Sequence, residues 1–303
     1  MRIIFEDENI ALGVDEKNNT PTAIITFTSL FLPNQRVKDD SWNSFSFGFN
    51  EKYISTLDIN AFYFVSKKNN WYESISLDLA LECLFKDAFF LFINTKVLHS
   101  TSMGAYGCLK VCNKLSVDYL FLGSPQFSID NKIALNEKRW SELTSDLTLI
   151  HNDAIQNINK FTGKIIIILD PNHFLDMKQL ELANLNFAED IIFLPGAGHM
   201  PFQYLMKAGI LELCCDLAFS FDDSKFYSIR NVINDFYQKK LDWDLVEKAL
   251  SLPAYADTCR ELALIDSFPP GLRMILIKKA LKERPNGPYI KAVYKKLSEK
   301  LIK

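Results

Sequence analysis

Long apolar runs are missing from this sequence. The longest candidate, DAFFLFIN, falls far short of the roughly 20 apolar residues that a membrane-spanning helix needs. The start, MRIIFEDENIALGVDE, turns acidic at once. It shows no apolar run followed by a small-residue cleavage site, so no signal peptide is expected. Cysteine is sparse and unpatterned. None of Cys83, Cys108, Cys112, Cys214, Cys215 and Cys259 forms a CxxC pair, and a secreted disulfide framework would be denser in a shorter chain. Buried free thiols and a cytoplasmic location are the expectation. Histidine is rarer still: His99, His151, His173 and His199 are scattered, which argues against a metal site. No glycine-rich loop follows the first strands, so no nucleotide cofactor is expected. A net charge of −3 calls for no polyanionic partner.

What is present is apolar and alternating. The 303 residues are 48% hydrophobic, with 24 phenylalanines, enough for one large core or a core with an appendage. TAIITFTSLF, INAFYFVS, KVLHS, DYLFLGSPQ, KIIIILDP and DIIFLPG read as nearly continuous buried strands. LDLALECLFKDAFFLF, GAYGCLKVCNKL and MKQLELANL read as helices between them. This alternation predicts a three-layer α/β/α fold around a mostly parallel sheet. Five or six strands are expected, with room for more at the amino-terminal edge.

Beyond His199 the texture turns helical. FQYLMKAGILELCCDLAF, KFYSIRNVINDFYQKK, DWDLVEKALSL and GLRMILIKKALKERP are punctuated by prolines. Residues 1–224 are read as the α/β domain and 225–303 as a helical extension. Residues 272–303 hold ten basic and two acidic residues, a net charge of +8. That stripe fits a solvated helical face, or a docking face for an acidic protein or a membrane surface. No nucleic-acid motif accompanies it.

The chemistry centres on VLHSTSMGAYG. A serine hydroxyl becomes a useful nucleophile when a base takes its proton, and it must project from a tight strand-to-helix bend. Small residues two before and two after Ser102 permit that bend. Gly104 fits, whereas Ser100 carries a Cβ where glycine is usual. The Met103 N–H is the first oxyanion donor expected, and a second is expected near Ser29 or Leu30 at the end of an earlier strand. Among the histidines, His99 points away within its strand, His151 sits in the polar HNDAIQN, and His173 follows a strong strand in DPNHFLD. His199, in the Gly- and Pro-rich LPGAGHMPF after the last strand, is the expected base. The acid lies after the penultimate strand. Asp176 reaches across from the loop more easily, and Asp170, which ends the strand, is the alternative or else braces the loop. Asn69, Asn70, Trp71 and Tyr72 follow the second strand, where the aromatic pair either holds a substrate or packs the rim. Gln126 lines the pocket or caps a turn.

The order Ser102, Asp176, His199, with STSMGAYG, GSPQ and LPGAGHMP, resembles the α/β-hydrolase superfamily. More narrowly, it resembles small bacterial serine-hydrolase-like proteins of surface polysaccharide biosynthesis. The resemblance implies a hydrolase-like fold, triad roles for those residues, and an O-acylated sugar or related small-molecule ester as substrate. Ester hydrolysis through an acyl-enzyme is the first expectation. Acyl transfer to a sugar hydroxyl and a non-catalytic partner protein on the same fold are the alternatives.

Overall fold

A computed structural model describes residues 1–17, 20–30, 49–130, 132–134, 137, 139–144, 147, 154–183, 191–239, 243–265 and 270–301. Eight strands form one sheet: β1 (Arg2–Glu6), β2 (Ile10–Asp15), β3 (Thr22–Phe27), β4 (Asn60–Ser66), β5 (Thr95–Thr101), β6 (Tyr119–Gly123), β7 (Lys164–Leu169) and β8 (Ile191–Phe193). Their order across the sheet is β1-β2-β4-β3-β5-β6-β7-β8. The β1–β2 and β2–β4 pairings are antiparallel and the rest parallel. The two strands beyond the expected six are therefore the amino-terminal antiparallel pair. RIIFE is only half-buried at the sheet edge, so its sequence lacks the continuous apolar signal of the central strands.

Helices cover both faces. On one side lie α2 (Ile75–Lys86), α3 (Ala88–Phe92), α4 (Ser102–Val111), α6 (Ala154–Ile158) and α7 (Phe174–Ala183), after the short α1 (Glu51–Ile54) and α5 (Ser141–Thr144) are set apart. The other face is covered by α8 (Pro201–Lys207), α9 (Leu211–Ala218) and α10 (Asp223–Lys239). Four more helices, α11 (Trp243–Ser251), α12 (Ala256–Leu262), α13 (Pro270–Glu283) and α14 (Pro288–Leu301), build a third, separate apolar cluster. No described helix is long and apolar enough to cross a membrane.

Two segments that read as single helices are each broken. Asp87 interrupts LDLALECLFKDAFFLF. Its carboxylate accepts the N–H groups of Phe89 and Phe90 at 3.0 and 3.2 Å, capping α3 as α2 ends. Gly209, at φ +73°, separates α8 from α9, in the left-handed conformation that commonly ends a helix.

Helix α4 is buried along its whole length, so its polar residues need partners. Lys110 and Glu73 form an ion pair whose side chains are 1% and 0% exposed. The Tyr106 hydroxyl donates to the same Glu73 oxygen at 2.9 Å. Breaking a buried pair from one side strands a charge. Lys110→Met is therefore expected to lower the unfolding free energy by about 3–5 kcal/mol in a urea titration. The Glu73→Leu/Lys110→Met double variant should regain most of that loss. A single variant as stable as the wild type would contradict this account.

Candidate active site

The nucleophile position is made by local backbone geometry. Strand β5 runs into Thr101 in extended conformation, and α4 begins at Ser102. Ser102 itself has φ +51°, a left-handed conformation that costs a non-glycine residue about 1–3 kcal/mol and clusters at functional sites. A Cβ added to Gly104 would lie 2.1 Å from Ser100 Oγ and 2.3 Å from the Phe27 carbonyl oxygen. Glycine is thus demanded at 104 by close approach. The same contact resolves the unusual Ser100. Its hydroxyl donates to the Phe27 carbonyl at 2.5 Å, filling the space that Gly104 leaves open between β5 and β3. The bend therefore accommodates the extra Cβ without losing its shape.

At the rim, Ser102 Oγ donates to His199 Nε2 at 2.8 Å. His199 Nδ1 donates to Asp176, 2.9 Å from each carboxylate oxygen. His199 is placed by the loop between β8 and α8. There the Leu194 N–H bonds the Leu169 carbonyl at 2.8 Å, and Gly196 and Gly198 take positive φ values. Of the two candidate acids, Asp176 is the one that reaches the histidine. Asp170 accepts the N–H groups of Gly198 at 2.9 Å and Asn172 at 2.8 Å, so it braces the base's loop.

Burial alone would raise the Asp176 carboxyl. The neighbouring His173 and His199 imidazoles overcome this and hold it well below the usual carboxylate range. His173 Nδ1 lies 3.1 Å from Asp176 Oδ2. The ligand atoms of His173, Asp176 and His199 all fall within 4.8 Å of one another, close enough for a cation. The Arg139 guanidinium, however, donates to Asp176 Oδ1 at 2.7 Å, and a fixed positive charge there opposes metal binding. His99 faces the opposite layer, stacked on Phe121 and ringed by Phe49, Phe202 and Phe219. Burial pushes its imidazole down to about 3, leaving it neutral. His151 lies outside the described residues.

The remaining predicted residues group differently. Met103 follows Ser102 in the first turn of α4, with its backbone N–H among the unpaired donors of a helix start. Ser29 and Leu30 follow the end of β3, which pairs with β5 as far as Thr26↔His99. Tyr72 holds this strand end from beneath. Its hydroxyl donates to the Thr28 carbonyl at 2.8 Å and lies 3.0 Å from Thr28 Oγ1. Trp71 donates its indole N–H to Gln126 Oε1. Trp71 and Tyr72 are fully buried, which favours rim packing over substrate holding, the two readings the sequence left open. Asn70 organises the turn, its side chain accepting the Tyr72 N–H at 3.2 Å. Gln126 Nε2 is buried and has no hydrogen-bond partner.

Sequence reasoning missed Glu137, Arg139 and Trp140. Besides its bond to Asp176, Arg139 lies 3.1 Å from His199 Nδ1 and forms a two-pronged pair with Glu137 at 2.8 and 2.5 Å. The Trp140 ring centre is 6.0 Å from that of His199. NEKRW carries no spacing signal that would have singled them out.

Two cavities adjoin the site and share Met200 and Gln203. One, about 340 Å³, is mainly apolar, lined by Phe49, Thr101, Met200, Phe202, Met206 and Leu211. The other, about 220 Å³, is mixed in character, with His173, His199, Gln203, Lys207, Asp257 and Arg260 beside Ala197, Met200 and Tyr204 in its wall. The second lies where α12 meets the His199 loop. Part of the basic stripe is spent inside the helical cluster: Lys279 donates to the carbonyls of Ala249 and Leu252, Arg273 to that of Ala263, and Arg284 pairs with Asp257.

Strand order, elbow and the chain order Ser–Asp–His define an α/β-hydrolase fold with a serine-hydrolase-type triad. No protein-family model matches the sequence, and no curated protein matches it. Among solved structures, the capsule O-acetyltransferase of Neisseria meningitidis serogroup A is similar at 15% identity and a TM-score of 0.44, covering 69% of this chain and 93% of its own. XC6422 of Xanthomonas campestris, an a/b serine hydrolase without lid, gives 15% identity and a TM-score of 0.38, covering 67% and 87%. The likeness to both is loose, and the fold stands on the chain's own topology.

Two tests follow from this geometry. Gly104→Ala is expected to cost at least about 1–3 kcal/mol through overpacking, read as a lowered thermal midpoint. Adding Ser100→Gly should relieve part of it, because one of the two contacts disappears. For Asp176, the folded value lies below the ordinary 3.8. Its charge adds stability above that value and loses it as the pH falls through the folded one. Asp176→Asn should therefore lose less stability than wild type on acidification below about pH 4, measured by chemical denaturation. An unchanged acid dependence would contradict the assignment.

Proposed function

We propose that this chain moves an acyl group through an acyl-Ser102 intermediate and delivers it to a hydroxyl-bearing acceptor. The observation that carries the reading is the unbroken line from Ser102 Oγ through His199 to Asp176, at 2.8 and 2.9 Å. His199 takes the serine proton as Oγ bonds the carbonyl carbon of an ester or thioester. Asp176 keeps the imidazole in the correct tautomer and stabilises the imidazolium. The Met103 N–H and a donor near Ser29 or Leu30 hold the oxyanion. The imidazolium then returns its proton to the leaving group.

The second half-reaction distinguishes transfer from hydrolysis. The paired cavities favour transfer, since an apolar recess suits the acyl group and the adjoining one, with Gln203, Lys207, Asp257 and Arg260 in its wall, offers hydrogen-bonding groups to a polyhydroxyl acceptor. A saccharide acceptor follows from the sequence resemblance. Hydrolysis of an O-acylated sugar, the first expectation from sequence, uses the same triad with water as the final nucleophile. The basic face of α13 and α14 remains a candidate contact for an acidic partner or membrane surface.

A fluorophosphonate probe should label the wild type and leave Ser102→Ala unlabelled, and His199→Ala should lower kcat/KM on p-nitrophenyl acetate by about 10²–10⁴. With a methyl glycoside added, mass spectrometry should detect acylated sugar at the expense of free acid. Free acid alone would favour hydrolysis. A folded wild type that resists the probe would remove both readings.

A further inference from the structure

The acid of the triad is shared. Asp176, 2% exposed at its side chain, accepts from His199 and from Arg139, and His173 Nδ1 lies 3.1 Å from its Oδ2. Arg139 Nη1 also sits 3.1 Å from His199 Nδ1. With Nδ1–H pointing at Asp176, that contact bonds nothing; it sets a guanidinium beside the ring that must become positive. Alone, such a neighbour would oppose proton transfer from Ser102, because like charges at this range in a partly dry site repel strongly. It is not alone. Glu137, 7% exposed at its side chain, accepts from Arg139 Nε at 2.8 Å, from Nη2 at 2.5 Å and from the Arg139 backbone N–H at 3.1 Å. Its two oxygens thus take the remaining prongs of the fork.

The charges can be followed through the reaction. At rest, Asp176 and Glu137 carry two negative charges against the single positive charge of Arg139. When Ser102 Oγ bonds the carbonyl carbon, its proton passes to His199 Nε2, and the new imidazolium brings this set to neutrality. On the far side of the loop, Asp170 is satisfied by backbone N–H groups. Arg260 and Glu261, which pack against Gly198, are paired with each other.

We propose that Glu137 and Arg139 are positioning residues, a charge-balanced pair that orients Asp176 and lets His199 become cationic beside a guanidinium. The proposal rests on the acyl-enzyme reading above. Arg139 fixes the carboxylate, and Glu137 cancels the charge that Arg139 would otherwise impose on the base. Removing Glu137 alone unmasks Arg139, whereas removing both restores the resting balance.

The experiment compares wild type, Glu137→Gln, Arg139→Gln, Arg139→Lys and Glu137→Gln/Arg139→Gln, with p-nitrophenyl acetate as the probe and thermal unfolding as the check on folding. Glu137→Gln should lose about tenfold or more in kcat, the effect of one pKa unit from an uncompensated neighbouring charge, with KM little changed. The double variant should regain most of that loss. Arg139→Lys should outperform Arg139→Gln, because it keeps the charge. A purely structural role predicts the opposite, with the double variant no better than its worse parent. A folded double variant no more active than Glu137→Gln overturns the proposal while leaving the triad intact. If Glu137→Gln does not fold, equal activity of Arg139→Lys and Arg139→Gln overturns it. A folded wild type that neither turns over the ester nor takes the fluorophosphonate label fails the acyl-enzyme reading, and the proposal falls with it.

Discussion

A carboxylate held away from water must be satisfied by donors or take up a proton. Asp176 is satisfied by two side chains from distant parts of the chain, His199 and Arg139, with His173 Nδ1 3.1 Å away. That requirement ties the helix after β7 to the loop after β8 and to the segment before α5. The base, the acid and the walls of both adjoining cavities inherit their positions from this junction. Ser102 meets it from β5, so the nucleophile is oriented by its own bend and the base by the buried acid.

The bend is a second constraint, and it is steric. Gly104 and Ser100 compete for one small volume beside the Phe27 carbonyl. Whichever residue carries a side chain into it, the other must stay clear. A glycine at 104 with a serine at 100 satisfies that condition, and the serine hydroxyl gains a hydrogen bond across to β3. Tyr72 then holds the next residues of β3's exit from below. Nucleophile turn and strand end are thereby joined into one support.

The helical extension is more than an appendage in space. Its α12 packs against Gly196 and Gly198 in the loop that carries His199, and the His173 and Tyr289 rings lie 6.2 Å apart. A cavity between α12 and that loop takes Asp257, Thr258 and Arg260 from the helix and His199 from the loop. The cluster made by α11–α14 has its own apolar core, yet its edge completes the surroundings of the base.

What could be read from the sequence alone was local. An apolar run followed by small residues and an apolar helix dictates a strand, a sharp turn and a buried helix, so Ser102 and Gly104 declare themselves. Positions after successive strands likewise put Asp170, Asp176 and His199 at one rim, since parallel strands end on the same side, although Asp176 stands in the first turn of α7 where a loop was expected. The choice between Asp170 and Asp176 was beyond that logic. So were the burial of Trp71 and Tyr72, the antiparallel edge strands, and the pairing of Arg139 with the acid and with Glu137. The contacts that assemble the site join residues 23, 37, 60 and 97 positions apart. Backbone conformation follows from neighbours in the chain, whereas such contacts exist only once packing has closed those distances. The sequence by itself determined where a nucleophile, an acid and a base would surface. Only the tertiary structure decided which carboxylate reaches the base and what surrounds it, because satisfying a buried charge is a property of the assembled core.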